Sequence, residues 1–359
     1  MTLRLPFVVL LVWVLASQSA RADVEVQPGD LLAVDRLDNR ILHVVPQTGQ
    51  TYNFSPRAGS GPNRLNLPNG IAIDSDGTVF VTNQSGELIS IDPVTGAQSV
   101  VRAFDILFGD FGPVDIGASP RSIDISDYKA SPSDRRDLYV LSADGIRRID
   151  RTGTALASAI VVPSDATIAG ANSMSLVDDA TGPTSAWVTA GTDAVRYDLA
   201  SGTPTTQSIG SVISGLDFRG TAAAGDLYYH RSYGSLSTSN GVFTLLAPIS
   251  LGGLLIFDFA SIAAAPPSEP LAIYVALVAT PPLIVALTPS GNDYVQNPLF
   301  PNIAEASIVA MAVSPAALPE PGLAVGALTA CCGLAALRAR RRFRRPFPPH
   351  RERSLDATR

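Results

Sequence analysis

The chain repeats a unit of four short apolar segments, and this repetition constrains the fold more than any other feature. The clearest copy, residues 67–101, contains segments 71–74, 79–83, 88–92 and 97–101, which are separated by turn-forming residues. Asp76-Gly77 and Thr95-Gly96 stand where tight reversals between antiparallel strands are needed. Such a unit is typical of a four-stranded sheet, the blade of a β-propeller.

The same order of segments returns along the chain at intervals of 41 to 59 residues. The second strand of each unit is predicted to begin at Leu31, Val79, Leu138, Ala186, Leu227 and Ile273, with a mean spacing of about 48 residues. Propeller blades commonly have about 40 to 50 residues. These units predict a six-bladed β-propeller over residues 23–318. Five or seven blades remain open, because the later units are degenerate.

The first unit has no innermost strand of its own. It begins directly with a second strand at 30–35, whereas 307–313, at the end of the body, has the composition of a first strand. Pairing of these two segments would close the ring and leave no open edge between the first and last units. We therefore expect the C-terminal strand to complete the first blade.

The composition of residues 23–318 also favours an all-β body. Asp, Gly, Pro, Ser and Thr are abundant and favour turns, while Lys and Glu, which favour helix surfaces, are nearly missing. The 15 basic and 29 acidic side chains give a net charge of −14, which would repel a nucleic acid. Apolar runs within 245–288 are interrupted by Asp258 and by Pro281-Pro282, so we interpret them as buried strands rather than membrane spans.

The first 22 residues have the three parts of a secretory signal peptide. Arg4 supplies the positive start, residues 5–16 form the apolar core, and Ala20 and Ala22 form a small-x-small cleavage site before Asp23. The apolar run is short for a membrane anchor. The sequence therefore predicts export through the Sec translocon followed by removal of residues 1–22; an uncleaved anchor helix is the alternative.

The C-terminus combines a helix-breaking tripeptide, an uncharged segment and a basic cluster. The tripeptide is Pro319-Glu320-Pro321 and the uncharged segment is 322–337. The cluster consists of Arg338, Arg340, Arg341, Arg342, Arg344 and Arg345. An apolar span followed by arginines predicts a single transmembrane helix whose basic end stays in the cytoplasm. Residues 346–359 are predicted to form a disordered cytoplasmic tail.

Residues 319–345 resemble the PEP-CTERM sorting signal of Gram-negative bacteria. The resemblance implies a precursor that faces the periplasm while held at the inner membrane, and that an exosortase-type enzyme then processes for the cell surface or the extracellular space. The long tail and Cys331-Cys332 within the span depart from the family pattern. We interpret the two cysteines as small apolar helix residues rather than as sites that carry lipid.

The repeat itself resembles the NHL-repeat and gluconolactonase-like group of six-bladed propellers. The resemblance is carried by Leu67-Pro-Asn-Gly-Ile-Ala-Ile-Asp, Gly77-Thr-Val-Phe-Val-Thr and Ile91-Asp-Pro-Val-Thr-Gly. It is strong over 29–101, fair to residue 202 and poor to residue 318. Propellers include both binding proteins and enzymes, so the resemblance implies a fold more firmly than an activity.

An enzyme of this group would hold a divalent cation such as Ca²⁺ in the central channel through carboxylate and amide oxygens. The candidate channel residues of this chain are Asp35, Asn69, Asn83, Arg121, Asn172 and His230. Arg121 departs from that pattern, because a cation beside the site weakens metal binding. We favour the interpretation that these polar residues cap turns and line a wet channel.

The sequence thus favours an exported, non-catalytic binding or interaction protein without a cofactor, whose partner is a polysaccharide, a protein or a small molecule. The alternative is a metal-dependent lactonase-like hydrolase that uses the channel, and a passive component of the cell envelope is a third hypothesis. His43 and His230 are the histidines of the body that a Ser-His-Asp arrangement could use. We interpret both as ordinary strand residues and assign no catalytic residue.

Overall fold

The computed structural model describes much of the chain between residues 26 and 315. The described ranges are 26–56, 60–105, 109–126, 135–151, 156–209, 213–221, 224–231, 234–239, 242–247, 258–264, 272–278, 283–290, 293–299 and 307–315. The predicted signal peptide, sorting signal and C-terminal tail lie outside these ranges. Within the ranges, no helix is long and apolar enough to cross a membrane.

The strands assemble into four-stranded antiparallel sheets, six of them within the described ranges. The first contains β1 (Leu31–Asp35), β2 (Arg40–Val45) and β3 (Gln50–Ser55) together with the last strand, β26 (Ile308–Val313). The second contains β4 (Pro68–Ile73), β5 (Val79–Asn83), β6 (Leu88–Ile91) and β7 (Gln98–Val100). The third contains β10 (Ser122–Ile125), β11 (Leu138–Ser142), β12 (Gly145–Asp150) and β13 (Ala157–Pro163).

The remaining three sheets follow the same consecutive order. The fourth contains β14 (Met174–Asp179), β15 (Gly182–Ala190), β16 (Asp193–Asp198) and β17 (Pro204–Ser208). The fifth contains β18 (Ile213–Thr221), β19 (Ala224–Arg231), β20 (Gly234–Ser239) and β21 (Val242–Ala247). The sixth contains β22 (Asp258–Ala264), β23 (Ile273–Val278), β24 (Leu283–Ser290) and β25 (Asp293–Leu299).

The first strands of the sheets lie around a common axis. Each contacts the next in the order β4, β10, β14, β18, β22, β26 and back to β4. Sheets arranged radially around a central channel define a β-propeller. The all-β propeller expected from the sequence is therefore confirmed.

The ring closes through the first sheet, as the sequence predicts. β26 pairs antiparallel with β1, with Leu31 opposite Val313 and Ala33 opposite Met311. Two further backbone bonds extend this ladder, from Gly29 N to Ser314 O (2.9 Å) and from Ser314 N to Asp30 O (2.8 Å). The two ends of the ring are thus joined by the hydrogen bonds of an ordinary sheet.

The core lies between adjacent sheets. Every residue of β1, β5 and β11 is buried, because each sheet is covered by a neighbour on both faces. Leu32 and Val34 pack on one side against Ile71, in the second sheet. Leu31 and Ala33 pack on the other side against residues of the sixth sheet. Apolar burial between the sheets is the main source of stability in this architecture.

Several strand positions differ from the sequence prediction. β22 begins at Asp258, a residue that was expected to interrupt an apolar run. β15 begins at Gly182 rather than Ala186, because the strand continues further into the preceding turn. The long spacing between the second and third units contains an additional hairpin of β8 (Arg102–Asp105) and β9 (Gly109–Pro113), which the sequence analysis missed.

Candidate functional site

The innermost strands enclose a central channel with a volume of about 200 Å³. Its wall includes residues of all six first strands, and apolar side chains of β4 and β26 form one side. Most polar residues of the wall lie on β10, β14 and β18 or directly before β14: Ser122, Asp124, Ser173, Ser175, Asp178, Asp217 and Arg219. The polar part of the channel therefore lies on the side of the third, fourth and fifth sheets.

Asp124 lies at the centre of β10 and bridges to the next inner strand. Its Oδ2 accepts a hydrogen bond from Leu176 N of β14 at 2.8 Å, and its Oδ1 accepts one from Ile125 N at 2.8 Å. Both carboxyl oxygens of Asp124 thus bind backbone amides. The side chain connects the third and fourth sheets.

Asp217 repeats this arrangement one step further around the ring. Its Oδ1 accepts a hydrogen bond from the Ser175 hydroxyl of β14 at 2.9 Å, and its Oδ2 accepts one from Ala264 N of β22 at 2.7 Å. The Ser175 oxygen in turn accepts a bond from Phe218 N at 2.9 Å. Asp217 therefore connects the fourth, fifth and sixth sheets.

Two further serines join the same inner strands. The Ser122 hydroxyl accepts a hydrogen bond from Met174 N at 3.3 Å, and the Ser173 hydroxyl accepts one from Leu216 N at 3.3 Å. Ser173 also donates to Leu216 O at 3.2 Å. A continuous series of side-chain bonds thus links β10, β14, β18 and β22.

The environment of Asp124 favours the protonated acid. Burial raises the pKa of Asp124 from its ordinary value of 3.8 to about 8, and repulsion from Asp217 acts in the same direction. The bonds from Leu176 N and Ile125 N lower the pKa but do not outweigh burial. At neutral pH Asp124 is therefore mostly uncharged.

Three of the sequence candidates line the channel: Asn69, Arg121 and Asn172. Asn69 Nδ2 donates to Pro120 O at 3.0 Å. Arg121 donates to Ala169 O at 2.6 Å and to Ala171 O at 2.8 Å, at the C-terminus of the short helix α1 (Ala166–Gly170). Asn69 and Arg121 thus hold neighbouring backbone in place, while the Asn172 side chain is exposed.

Asp35 and Asn83 do not line the channel and instead hold the loops that enter the inner strands. Asp35 Oδ1 accepts from Ser307 N at 3.0 Å, and Asn83 Oδ1 accepts from Asn66 N at 3.0 Å. Both residues end the second strand of their sheet. Asp35 and Asn83 are therefore turn anchors.

The two histidines are separated from this group. His43 Nε2 lies 2.7 Å from Asp30 Oδ2, and both side chains are buried in the sheet that closes the ring, away from the channel wall. The backbone of His230 pairs with Ser235 in the fifth sheet, and its side chain is outside the described part of the structure. The structure thus does not unite His43 with the candidate channel residues.

Asp124 and Asp217, two of the carboxylates on the channel wall, were missed as site residues. Each stands between apolar neighbours on a first strand, in Ile123-Asp-Ile and Leu216-Asp-Phe. A charged residue inside such a run points to the opposite face from its neighbours, and this alternation is the signal that could have found it.

The described channel residues do not fit the divalent-cation site that the sequence resemblance implies. Both oxygens of Asp124 and of Asp217 accept hydrogen bonds from protein groups, and Arg121 adds a positive charge to the same wall. Hard cations need several oxygen ligands turned toward one point. Among the described residues, no group of three or more His, Cys, Asp or Glu is placed to hold a metal ion.

Comparisons with known proteins support the fold class. No protein-family model matches the chain, and no curated protein matches it. A chain of a nidogen/laminin complex is 12% identical, with a TM-score of 0.56, and the match covers 80% of this chain and 98% of that chain. Regucalcin from Agrobacterium tumefaciens, a calcium-binding protein, is 12% identical with a TM-score of 0.46 over 70% of this chain and 79% of its own.

The class of protein that the fold and the channel define is the β-propeller. The similarity to the chain of the nidogen/laminin complex supports this fold over most of both chains. At 12% identity it carries no statement about activity or partners.

Proposed function

We propose that this protein is an exported six-bladed β-propeller that acts as a non-catalytic binding or interaction protein of a Gram-negative cell envelope. The six four-stranded sheets and the ring of contacts between their first strands support six blades. The observation that carries the non-catalytic role is the use of Asp124 and Asp217 as bridges between sheets. These carboxyls join neighbouring blades, where a hydrolase needs groups free to meet a substrate.

The ends of the chain support export and sorting. The sequence predicts cleavage after Ala22 and processing at Pro319-Glu320-Pro321 by an exosortase-type enzyme. The precursor would be held at the inner membrane by residues 322–337, and the propeller would then reach the cell surface or the extracellular space. A rigid ring of sheets suits a protein that presents loops to a partner.

Calcium is expected to leave the thermal stability of the full-length protein unchanged. A channel site with a micromolar Kd would add about 2.7 kcal/mol at a free calcium concentration of 100 times Kd, or several degrees in Tm. We expect a change of less than about 1 °C with calcium or with a chelator, measured by differential scanning calorimetry. A rise of several degrees that Asp217→Asn abolishes would instead support the lactonase-like alternative.

Processing at both ends is expected in the native host. Mass spectrometry of the mature protein should find Asp23 at the N-terminus and a C-terminus that lacks the arginines from Arg338 onward. The double variant Pro319→Ala/Pro321→Ala should keep the arginines and remain in the inner-membrane fraction. Wild-type protein that retains the intact arginine cluster at the cell surface would contradict the sorting step.

A further inference from the structure

Two leucines are exposed on the rim of the ring, outside the channel. Leu37 is 67% exposed in the turn between β1 and β2, and Leu67 is 38% exposed in the loop that leads into β4. Asn39 Oδ1 accepts a hydrogen bond from Leu67 N at 2.6 Å, so the two segments are in direct contact. Leu37 and Leu67 therefore belong to one surface formed by the first and second sheets.

This surface is held by a network of hydrogen bonds. Asn63 Nδ2 donates to Asn39 O at 2.9 Å, and Gln84 N donates to Leu67 O at 3.2 Å. The backbone of Leu67 has φ +48°, the left-handed region that a bulky residue rarely adopts. The network thus holds Leu67 in a conformation that is unfavourable for a bulky residue while 38% of the residue stays exposed.

Two arginines, Arg36 and Arg64, lie in the same two segments as these leucines. Arg36 Nη2 donates to Gln84 Oε1 at 2.8 Å, and Arg64 is exposed in the loop that contains Leu67. Among the described residues, no carboxylate lies within ion-pair distance of either guanidinium; Arg40, by contrast, pairs with Asp35 and Asp38. In a body with a net charge of −14, arginines with no ion-pair partner in the described part of the chain are suited to a carboxylate from a partner.

We propose that the rim patch, defined by Arg36, Leu37, Arg64 and Leu67, binds an extended protein segment in which apolar side chains alternate with carboxylates. The leucines match the apolar side chains and the arginines match the carboxylates. An acidic polysaccharide would satisfy the arginines but would offer the leucines no apolar partner. This inference rests on the proposed binding function and names the surface and the class of partner.

The test uses full-length protein and three fluorescent probes, with affinity measured by anisotropy. The probes are a short peptide of alternating Leu and Glu, the matching peptide of Leu and Lys, and an oligomer of galacturonic acid. We expect the Leu/Glu peptide to bind about tenfold or more tightly than either other probe, and its affinity to fall as salt is raised.

Variants of the rim patch separate the contribution of the leucines to binding from that of the arginines. Leu37→Ser and Arg64→Ala are each expected to weaken binding of the Leu/Glu peptide by about tenfold, with Tm unchanged because both side chains are exposed. Matched controls are Val94→Ser and Ile160→Ser, which change residues that are 51% and 46% exposed in other turns and strands. The controls should bind the peptide like the wild type.

The proposal is overturned if the Leu/Glu peptide fails to bind, if it binds no better than the Leu/Lys peptide, or if the galacturonic acid oligomer binds more tightly. Unchanged affinity in Leu37→Ser and Arg64→Ala would overturn it as well. These outcomes are distinct from a failure of the proposed function, which the calcium response and the processing of the chain ends test without reference to the rim patch.

Discussion

The free energy of unfolding is expected to fall as the pH rises from about 5 to about 8. The titration of Asp124 accounts for a decrease of up to about 1.4 kcal/mol per pH unit. In the native state Asp124 keeps its proton up to a pKa of about 8, whereas the unfolded carboxyl loses it near 3.8. The native protein therefore binds more protons in this window, and removal of protons favours unfolding. Once the pH is well above 8, Asp124 is ionised in both the native and the unfolded state, and its contribution to the free energy of unfolding is lost completely.

Urea denaturation of the wild type and Asp124→Asn at each pH measures this contribution. Asparagine is similar in size and cannot ionise, so the variant should lose this dependence of the free energy of unfolding on pH. The variant also lacks one acceptor for Leu176 N or Ile125 N, which should cost about 1 kcal/mol at every pH. The control is Asp179→Asn, at the end of β14, where the pKa lies below its usual value because Thr181 donates to the carboxylate; this variant should keep the wild-type slope.

The titration of Asp165 does not obscure this result. Asp165 has a pKa below its usual value because Tyr197 and backbone amides donate to it, despite partial desolvation. The stabilisation from such a group is present above its unfolded pKa and disappears only as the pH falls below about 4, outside the measured window. Equal slopes for the wild type and Asp124→Asn would mean that Asp124 ionises in the ordinary range.

Replacement of Arg151 by methionine is expected to lower the free energy of unfolding by about 3 to 5 kcal/mol. Arg151 Nη1 donates to Asp74 Oδ2 at 2.9 Å, and both side chains are buried, so the change leaves Asp74 as a buried charge with a weakened set of partners. The guanidinium also lies 4.4 Å from the centre of the Phe80 ring. Arg136 Nε remains 3.9 Å from Asp74 Oδ1, which keeps the loss near the lower end of the range.

Two further variants test whether burial of the Arg151–Asp74 ion pair causes the expected loss of stability. Arg148→Met removes an ion pair of similar length, 2.6 Å to Asp137, but Arg148 is 41% exposed, so we expect a loss below about 1 kcal/mol. The double variant Arg151→Met/Asp74→Asn removes both charges and should regain much of the stability. Losses of the same size for Arg151→Met and Arg148→Met would contradict the role of burial.

The strands of the early units could be predicted from local sequence because each is an apolar run bounded by turn residues. β5 begins at Val79 and β11 at Leu138, as the repeat predicts. The apolar runs predicted the strand starts less accurately in the sixth sheet, where β22 begins at Asp258. The apolar run before β22 contains Gly252-Gly253, and Asp258 is the first residue of the strand, so the local punctuation does not mark where this strand starts.

The candidate site was predicted less well than the fold. Asp35 and Asn83 were selected from the sequence because they stand at strand ends, and the structure uses both to hold loops. Asp124 and Asp217 were not selected; their partners Leu176 and Ala264 lie 52 and 47 residues further along the chain. Pairs at such separations become neighbours only when consecutive sheets stand side by side around the axis.

By itself, the sequence determined the repeating four-stranded unit, the turn residues that define it and the closing role of the last strand. These features depend on side-chain periodicity and turn chemistry within a few residues. Only the tertiary structure decided which polar side chains meet in the channel and why Asp124 holds its proton. Those properties depend on burial and on distances between sheets, which no local stretch of sequence contains.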